Sequence, residues 1–382
     1  MYDVPHLRFP EFSGEWEKYR LCDVASIVGR IGFRGYTTND IVTKGKGAIA
    51  LSPTNIENNK LTYDKDNTYI SFYKYEESPE IMIKQGDVIF VKTESTVGKV
   101  AYVDKLICKT TLNPQVVVLK DIQCDNYLLS VLMSTNKFQN AIRKIIVGGA
   151  VPTLSQAAMG DIVVTMPQAT EQEKLSKFIS LLDDRIATQN KIIEDLKILK
   201  SAIAERLFNS TDGDILSLSD VCIIQKGKQV NGEDLSETGK FYVMNGGVEP
   251  SGYYDQCNTP ANTISISEGG NSCGYIQYNR DAFWSGGHCY TLNNIQPNVC
   301  KLYLYHYLKS QESSIMKLRI GTGLPNIQKK DLEKFHILLT SKAIQESISA
   351  FLTTIDRKIT NEDMLLQRFQ KGKQYLLRQM FI

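Results

Sequence analysis

Two loops in the first half of this 382-residue chain combine basic side chains with hydroxyl groups and glycine. They read GRIGFRGYTT at 29–38 and VKTESTVGKV at 91–100. Side chains and backbone amides in such loops suit contacts to phosphate, and an arginine can also read a base edge. Each of these residues taken alone could equally be an ordinary solvated turn residue. The candidates for contacts to nucleic acid are Arg30, Arg34, Tyr36, Lys92, Thr93, Ser95 and Lys99.

Four glycine-containing stretches in the second half carry a different set of polar residues. They read QKGKQV, MNGGVEPSGYY, SEGGNSCGY and FWSGGHCY. Asparagine and histidine beside a flexible backbone are plausible readers of base edges, whereas Trp284 is expected to belong to the core. The two sets differ although the halves resemble each other, so we expect two related domains that read two different things. The candidates here are Lys226, Lys228, Asn245, Asn271 and His288.

No arrangement typical of catalysis accompanies these loops. A base methyltransferase needs an Asn-Pro-Pro-Tyr-like loop and a glycine-rich cofactor turn after a strand, and the sequence has neither, nor a P-loop. The four histidines are scattered without metal-ligand spacing. Asp195 and Lys197 faintly suggest a nuclease, but they lie two apart in a predicted helix and so do not share a face. We therefore predict a chain without catalytic residues or a metal site.

Composition places few limits on function. The chain is 42% hydrophobic and 23% charged, with a formal net charge of +2, which is typical of a globular protein. A DNA-binding surface would therefore have to be local. No apolar run is long enough to span a membrane and no secretory signal is evident, so a cytoplasmic protein is expected. The eight cysteines include no C-x-x-C pair and are expected to be reduced and mostly buried.

Two long helices are predicted, at 171–208 and 344–382, each with a coiled-coil seam. Apolar residues recur at alternating steps of four and three, with polar interruptions at Gln189 and Lys200. A shift of 173 residues aligns the second helix with the first and reproduces both interruptions, so the chain is an internal duplication. The seam is also a candidate for partner docking. Its predicted members are Leu175, Ile179, Leu182, Ile186, Ile193, Leu196, Ile348, Leu352, Ile355, Ile359, Leu366 and Phe369.

The remaining pattern predicts an α/β (α+β) tandem repeat with two globular domains, each followed by a long helix. The expected boundaries are 1–166, 167–210, 211–340 and 341–382. Short β runs are expected at 68–72, 87–91, 99–103 and 115–119 and again at 241–244, 262–267, 274–278 and 288–292, with helices near 126–145 and 301–318. The segments LCDV at 21 and LSDV at 218 are interpreted as strand entries. The first copy is 24 residues longer, between this entry and the Gly-Pro loop.

In its order of features, the chain resembles the specificity subunit of a type I restriction–modification system. The matching pieces are LRFPEF at 7–12, the LCDV and LSDV segments, the GGAVP and GTGLP loops, Glu171-Gln172 with Gln345-Glu346, and the helix after each domain. The resemblance covers essentially the whole chain. It implies two target-recognition domains, each reading half of a bipartite DNA site. The two helices would pack antiparallel as a spacer that also docks modification subunits.

The same resemblance implies the partners. Two modification subunits and the restriction subunits are expected to bind this chain, and S-adenosylmethionine, ATP and Mg would belong to those subunits, so no cofactor is expected here. Base-reading residues vary with the target in this family, so none is carried over. An antiparallel pair of helices of about 38 residues, roughly 57 Å long, could hold two domains one DNA turn apart.

Two other readings stay open at the level of sequence. A scaffold whose helices mediate oligomerisation and whose domains bind protein or carbohydrate would also fit the repeat. A solitary methyltransferase or nuclease is disfavoured by the missing motifs. Neighbouring methyltransferase and helicase-nuclease genes would discriminate the specificity subunit from the scaffold.

Overall fold

The chain is described from a computed structural model covering residues 4–30, 32–63, 66–147, 152–321, 323 and 325–381. The glycine-rich loop at 148–151 and positions 322 and 324 of its repeat lie outside the described residues. The fold divides into two compact units, one of 1–188 with 367–382 and the other of 189–366. Each unit thus contains one globular domain and half of each long helix.

Unit 1 is built from twelve strands, five short helices and the long helix α6, which continues into unit 2. The elements are β1 (Glu17–Arg20), α1 (Leu21–Val24), β2 (Ser26–Gly29), β3 (Ile41–Val42), β4 (Gly47–Leu51), β5 (Ile56–Glu57), β6 (Lys60–Leu61), β7 (Tyr69–Ser71), α2 (Phe72–Glu76), β8 (Val88–Val91), β9 (Val100–Tyr102), β10 (Thr110–Leu112), β11 (Val116–Lys120), α3 (Asn126–Ser134), α4 (Asn136–Ile145), α5 (Gln156–Gly160), β12 (Val163–Met166) and α6 (Ala169–Asn209).

Unit 2 repeats this plan with fewer elements, and its last helix α11 returns to unit 1. The elements are β13 (Asp214–Ser217), α7 (Leu218–Val221), β14 (Ile223–Lys226), β15 (Phe241–Met244), β16 (Tyr253–Tyr254), β17 (Thr263–Ser267), β18 (Ile276–Asn279), β19 (Trp284–Ser285), β20 (Cys289–Asn293), α8 (Lys301–Ser310), α9 (Glu312–Met316), α10 (Lys329–Glu333), β21 (His336–Leu339) and α11 (Lys342–Met380).

The sheets of the two units correspond strand by strand. Order β2-β11-β8-β9 in unit 1 matches order β14-β20-β17-β18 in unit 2, β10-β4-β7 matches β19-β15-β16, and β1-β12 matches β13-β21. Strand β11 in unit 1 and strand β20 in unit 2 each pair antiparallel with both of their neighbouring strands. Unit 1 adds β3, β5, β6 and α2, which lie between the LCDV segment and the glycine-rich loop, the region in which the 24 additional residues were predicted.

The predicted strand entries at LCDV and LSDV are wrong, because both segments form one helical turn between two strands. Asp23 and Asp220 explain the difference. Each carboxylate, in the third position of its turn, accepts a hydrogen bond from the backbone N–H of the residue before the helix, Arg20 or Ser217. A carboxylate that accepts from the N–H before the first turn favours a helix start, and it outweighs the local β preference of the following residues.

Each globular domain has its own apolar core. In unit 1 the strands β8, buried throughout, and β11, buried except at Lys120, contribute to two clusters, one that includes Phe90 and Leu129 and another that includes Ile49 and Ile89. In unit 2 the core gathers β17, β20 and α8, with Ile264 and Leu308 fully buried. The predicted helices at 126–145 and 301–318 are each interrupted, at Thr135 and Gln311.

The twelve predicted seam residues are all buried or partly buried. In unit 1 Leu175 and Ile179 share a cluster with Leu376 and Met380, and in unit 2 Phe208 shares one with Ile348 and Leu352. Because early residues of α6 meet late residues of α11 and late residues meet early ones, the helices are antiparallel, as predicted. Burial of this apolar stripe stabilises both helices.

Each polar residue that interrupts the apolar seam contacts a polar residue of the other long helix. Gln189 donates from Nε2 to Glu362, the residue that the duplication aligns with it. Lys373 forms an ion pair with Asp183 in unit 1, and Lys200 forms one with Asp356 at 2.5 Å in unit 2. Since a shift of 173 maps Asp183 onto Asp356 and Lys200 onto Lys373, these are two copies of one interaction. Partly buried ion pairs of this kind help to fix helix register.

Gln172 and Gln345 attach the long helices to their domains by the same contacts. The Oε1 of Gln172 accepts from the backbone N–H of Asp125 at 3.0 Å, and its Nε2 donates to the Pro167 carbonyl at 2.8 Å. The Oε1 of Gln345 accepts from the N–H of Cys300 at 2.7 Å, and its Nε2 donates to a carbonyl preceding α11. The residues that precede α6 and α11 differ, but these matching contacts show that the two helices start at equivalent positions.

All eight cysteines are unpaired thiols, but the expectation that most are buried is wrong. Only Cys222, Cys273 and Cys289 are buried, and three others are exposed. Desolvation raises the thiol pKa of Cys222 to about 12, so this buried thiol stays protonated. Within the described ranges no helix has the length and apolar character to cross a bilayer.

Candidate nucleic-acid interface

The loops after β8 and β17 adopt the same turn at matching positions. The N–H of Gly98 donates to the carbonyl of Val91 at 3.0 Å, and the N–H of Gly274 donates to that of Ser267 at 2.8 Å. Both glycines have positive φ, of 98° and 91°, a conformation that other residues rarely adopt. The candidates Thr93 and Ser95 in unit 1 and Asn271 in unit 2 therefore lie on equivalent loops.

In unit 1 this loop presents part of the predicted basic set to solvent. Ser95 and Lys99 are exposed, and Lys92 and Thr93 are partly buried. Thr93 also pairs with Thr153, just after the glycine-rich segment, so the loop is supported from one side by the domain. The arrangement leaves Lys99 and Ser95 able to contact a phosphate backbone.

Arg30, Arg34 and Tyr36 form a separate cluster in unit 1. Arg30 is 5% exposed, and its guanidinium donates to the Leu112 carbonyl at 2.8 Å and to Thr111 Oγ1 at 3.1 Å. It lies over the Tyr36 ring at 5.4 Å, and desolvation lowers its pKa. Arg34 pairs with Glu80 at 3.3 Å. These contacts tie the segment after β2 to β10, so Arg30 supports the domain from within.

In unit 2 three predicted residues converge on Glu268, the residue after β17. Lys226 Nζ donates to Glu268 Oε1 at 2.6 Å, and His288 Nδ1 lies 3.5 Å from Oε2. Asn245 joins them because its Oδ1 accepts from the backbone N–H of His288 at 3.0 Å. Tyr290 also donates to Glu268 Oε1, at 2.9 Å. The sequence thus identified residues that lie together, but not the carboxylate that gathers them.

The other predicted residues of unit 2 lie at the edges of this group. The carbonyl of Lys228 accepts from Trp284 Nε1 at 2.8 Å, and its side chain is exposed. Trp284 is partly buried and packs edge-on against Tyr254, so it is not fully in the core as expected. Asn271 is exposed on the loop described above.

The electrostatics of the Glu268 group follow from its burial. Glu268 is 9% exposed, and its Oε2 is buried without a hydrogen-bond partner. Desolvation, followed by the hydrogen bond to Glu268, raises the pKa of the Tyr290 phenol well above its usual value. The exposed Lys226 supplies a positive charge on the other side. Nowhere in the described part of the chain do His, Cys, Asp or Glu side chains form a group that could hold a metal ion.

Sequence reasoning missed Glu94 and Gln115 in unit 1 and Glu268 in unit 2. Gln115 Nε2 donates to Glu94 Oε1, and Glu94 has a positive φ of 71°. Contacts to phosphates and base edges are typically made by cations and amides, so the predicted set contained no carboxylate. A carboxylate in a glycine-rich loop next to a basic strand end is the signal that could have found Glu268.

Comparison with known proteins identifies the family to which the chain is similar. Residues 13–197 and 212–368 each match the family described as "Type I restriction modification DNA specificity domain". A type I specificity subunit of Mycoplasma genitalium is 35% identical over 160 residues, which are 41% of this chain and 42% of that relative. The match therefore spans less than half the length of this relative.

Two solved structures share the fold. The crystal structure of a type I restriction-modification S subunit from M. genitalium superposes with a TM-score of 0.64 and 17% identity, over 99% of both chains. A chain from a study of complex assembly and conformational transition of the type I restriction-modification system gives 0.55 at 17% identity, over 96% of this chain and 97% of that one. With the family matched twice along its length, the chain belongs to the type I restriction–modification DNA specificity family.

Proposed function

We propose that this chain is the DNA-recognition subunit of a type I restriction–modification complex. Each unit would bind one half of a bipartite double-stranded target. The observation that carries this proposal is the matched scaffold with unmatched loops: β8 and β17 end in the same turn, yet Lys92 occupies the position of Glu268. One scaffold bearing two chemistries suits two different half-sites.

The helix pair is proposed as the spacer and as the docking surface for modification subunits. Several large apolar side chains on these helices remain exposed, which is typical of a surface that binds a partner. They are Leu181, Ile192, Ile198, Leu199, Ile344, Phe351, Met364 and Tyr375. Two modification subunits fit a duplicated helix pair, because each repeat offers one copy of the docking surface. Restriction subunits would then associate with that assembly.

Catalysis and cofactor binding are proposed to reside in the partners. The sequence lacks a cofactor turn and a P-loop, and the described residues contain no group of three or more His, Cys, Asp or Glu side chains that could hold a metal ion. S-adenosylmethionine would bind the modification subunits, ATP the restriction subunits, and Mg would be held by the partners. The duplicated domains and their family favour this role over that of a scaffold binding protein or carbohydrate.

Reconstitution tests the proposal. The purified chain is expected to transfer no methyl group to DNA, and adding its cognate modification subunits should produce methylation at one bipartite sequence. Replacing residues 218–338 with the same region of a relative should then change one half of that sequence only. Methyl transfer by the chain alone, or methylation without sequence preference in the complex, would contradict the proposal.

A further inference from the structure

Gln115 and His288 occupy the same position in the two units. Gln115 immediately precedes β11, and His288 immediately precedes β20. The carbonyl of Gln115 accepts from the N–H of Lys92 at 2.9 Å, and that of His288 accepts from the N–H of Glu268 at 2.9 Å. Since Lys92 and Glu268 are the first residues after the matched strands β8 and β17, the backbone places both side chains beside the equivalent loop.

Each of these two side chains lies next to a carboxylate from that loop, but the carboxylates come from different positions in it. In unit 1 the acid is Glu94, three residues after β8, and in unit 2 it is Glu268, directly after β17. The position of Glu94 is taken in unit 2 by Gly270, which also has a positive φ. The same pairing thus arises twice from different residues, as expected if the side chain before the central strand needs a fixed orientation.

Glu94 and Glu268 each have an energetically unfavourable feature, of the kind that is common at binding sites. Glu94 is a non-glycine residue at φ 71°, a strained conformation that clusters at binding sites. Glu268 is nine-tenths buried and its Oε2 has no hydrogen-bond partner, while Oε1 is fixed by Lys226 and Tyr290. A buried oxygen left without a donor is unfavourable, and the nearby His288 Nδ1, 3.5 Å away, is the group that could donate a hydrogen bond to it.

We propose that Gln115 and His288 are matched specificity-determining residues, each reading a base edge in one half-site and each oriented by its carboxylate, Glu94 or Glu268. This inference rests on the proposed function in DNA recognition. In the tautomer that carries its proton on Nδ1, next to Glu268 Oε2, the exposed imidazole of His288 offers Nε2 as an acceptor. It reads an exocyclic amino group, that of adenine or cytosine, in the major groove.

Gln115 has the complementary capacity in unit 1. One N–H of its amide is taken by Glu94, and its Oε1 accepts from Asn113 Nδ2 at 2.7 Å. The second N–H and the second lone pair of Oε1 remain, and this donor and acceptor together match N7 and the N6 amino group of adenine. Glu94 and Glu268 are positioning residues, since each acts through its neighbour.

The test uses the full chain assembled with its modification subunits. The preferred target is first determined, and competition binding then measures affinity for DNAs that differ from it at one base pair. His288→Ala should lose discrimination at one base pair of one half-site, by at least about fivefold. His288→Gln, which keeps the backbone contacts, should change the preference at that same base pair. Gln115→Ala should act on one base pair of the other half-site.

The role of Glu268 has its own readout. Glu268→Gln should relax the same base pair as His288→Ala, and the double variant should lose no more than either single one. His336→Ala is the matched control, an exposed histidine of the same unit at the start of β21, and it should leave every preference unchanged. Melting temperatures within the range of the wild type show that the variants are folded.

The outcomes separate this inference from the proposed function. A wild-type complex without any sequence preference would overturn the proposed function itself. A wild-type complex that selects its target, with unchanged discrimination at every base pair in folded His288 and Gln115 variants, would overturn the inference alone. Additive losses in the Glu268 and His288 double variant would overturn the positioning role.

Discussion

Individual lysines in the loop after β8 are suited to contacts that carry no sequence information. Changing both Lys92 and Lys99 to Ala should weaken binding about equally for all DNA sequences, because phosphate contacts fix position and not sequence. Each phosphate contact contributes about 0.9 to the slope of log affinity against log salt, so the double variant should flatten that slope by about 1.8. Affinity measured across a salt series with specific and unrelated DNA gives both quantities.

Lys84 provides the control for that measurement. It is exposed and lies before β8, whereas Lys92 follows the same strand. The Lys84→Ala variant removes a positive charge near the other end of β8, and it should leave the salt slope unchanged. Loss of discrimination at a particular base pair in the Lys92 and Lys99 variant would mean that these side chains read bases instead of positioning the backbone.

At the level of residues the sequence identified side chains that lie together, but not the residue that joins them. Lys226, Asn245 and His288 do lie close together: Lys226 ends β14, Asn245 follows β15, and His288 precedes β20. Their common partner Glu268 is 42 residues from Lys226, and no local pattern encodes that contact. Arg30 shows the opposite case: its type suggested an exposed phosphate ligand, but tertiary packing buried it against β10.

The junction between α8 and α11 holds a histidine that should make unit 2 sensitive to acid. His306 is 2% exposed, its Nε2 bonds Thr353 at 3.0 Å, and its Nδ1 has no hydrogen-bond partner and lies 3.9 Å from Asp356 Oδ2. Burial, followed by the charge of Lys200, lowers its pKa from 6.5 to about 4. The unfolded chain therefore binds the proton more strongly between these values, and stability is lost as pH falls from about 6.5 toward 4.

His306→Gln tests this assignment. Between pH 7 and pH 5 the lowered pKa should cost the wild type about 2 kcal/mol of unfolding free energy, and glutamine, which can still bond Thr353, should remove that part of the loss. Urea unfolding at the two pH values, followed by a signal from unit 2, measures the difference. His336→Gln, at an exposed position, should keep the wild-type loss. An equal loss in His306→Gln would show that other groups cause the acid sensitivity.

Regular elements were predicted well where one repeating pattern extended over many residues. The two long helices begin and end within a few residues of their predicted bounds, since a seam of alternating steps is a strong helical signal. The runs at LCDV and LSDV were misread because four residues are too few to distinguish a strand from a capped helical turn. The breaks at Thr135 and Gln311 were missed because the apolar face continues across them.

At the scale of the whole molecule, the helix pair is fixed in both units by repeated contacts. Asp183 with Lys373 lies in unit 1, and Lys200 with Asp356 lies in unit 2. Between these pairs Gln189 meets Glu362. A change in the length of one helix alone would therefore pull one of the two ion pairs out of register by the length inserted. Any test of the spacer must lengthen both helices together.

Four residues inserted after Gln189 together with four after Glu362 should lengthen the proposed spacer without changing what either unit reads. Four residues add about 6 Å of helix and turn it by about 40° beyond a full turn, a stutter that a coiled coil absorbs by local unwinding. Since DNA rises roughly 3.4 Å per base pair, the gap between half-sites should grow by one or two base pairs. Sequencing of methylated sites in cells carrying the complete system measures the gap and both half-sites.

Paired insertions of two residues, which rotate the seam by about 200°, should abolish methylation, and so should four residues in α6 alone. An active paired four-residue variant with an unchanged gap would exclude the helices as the ruler.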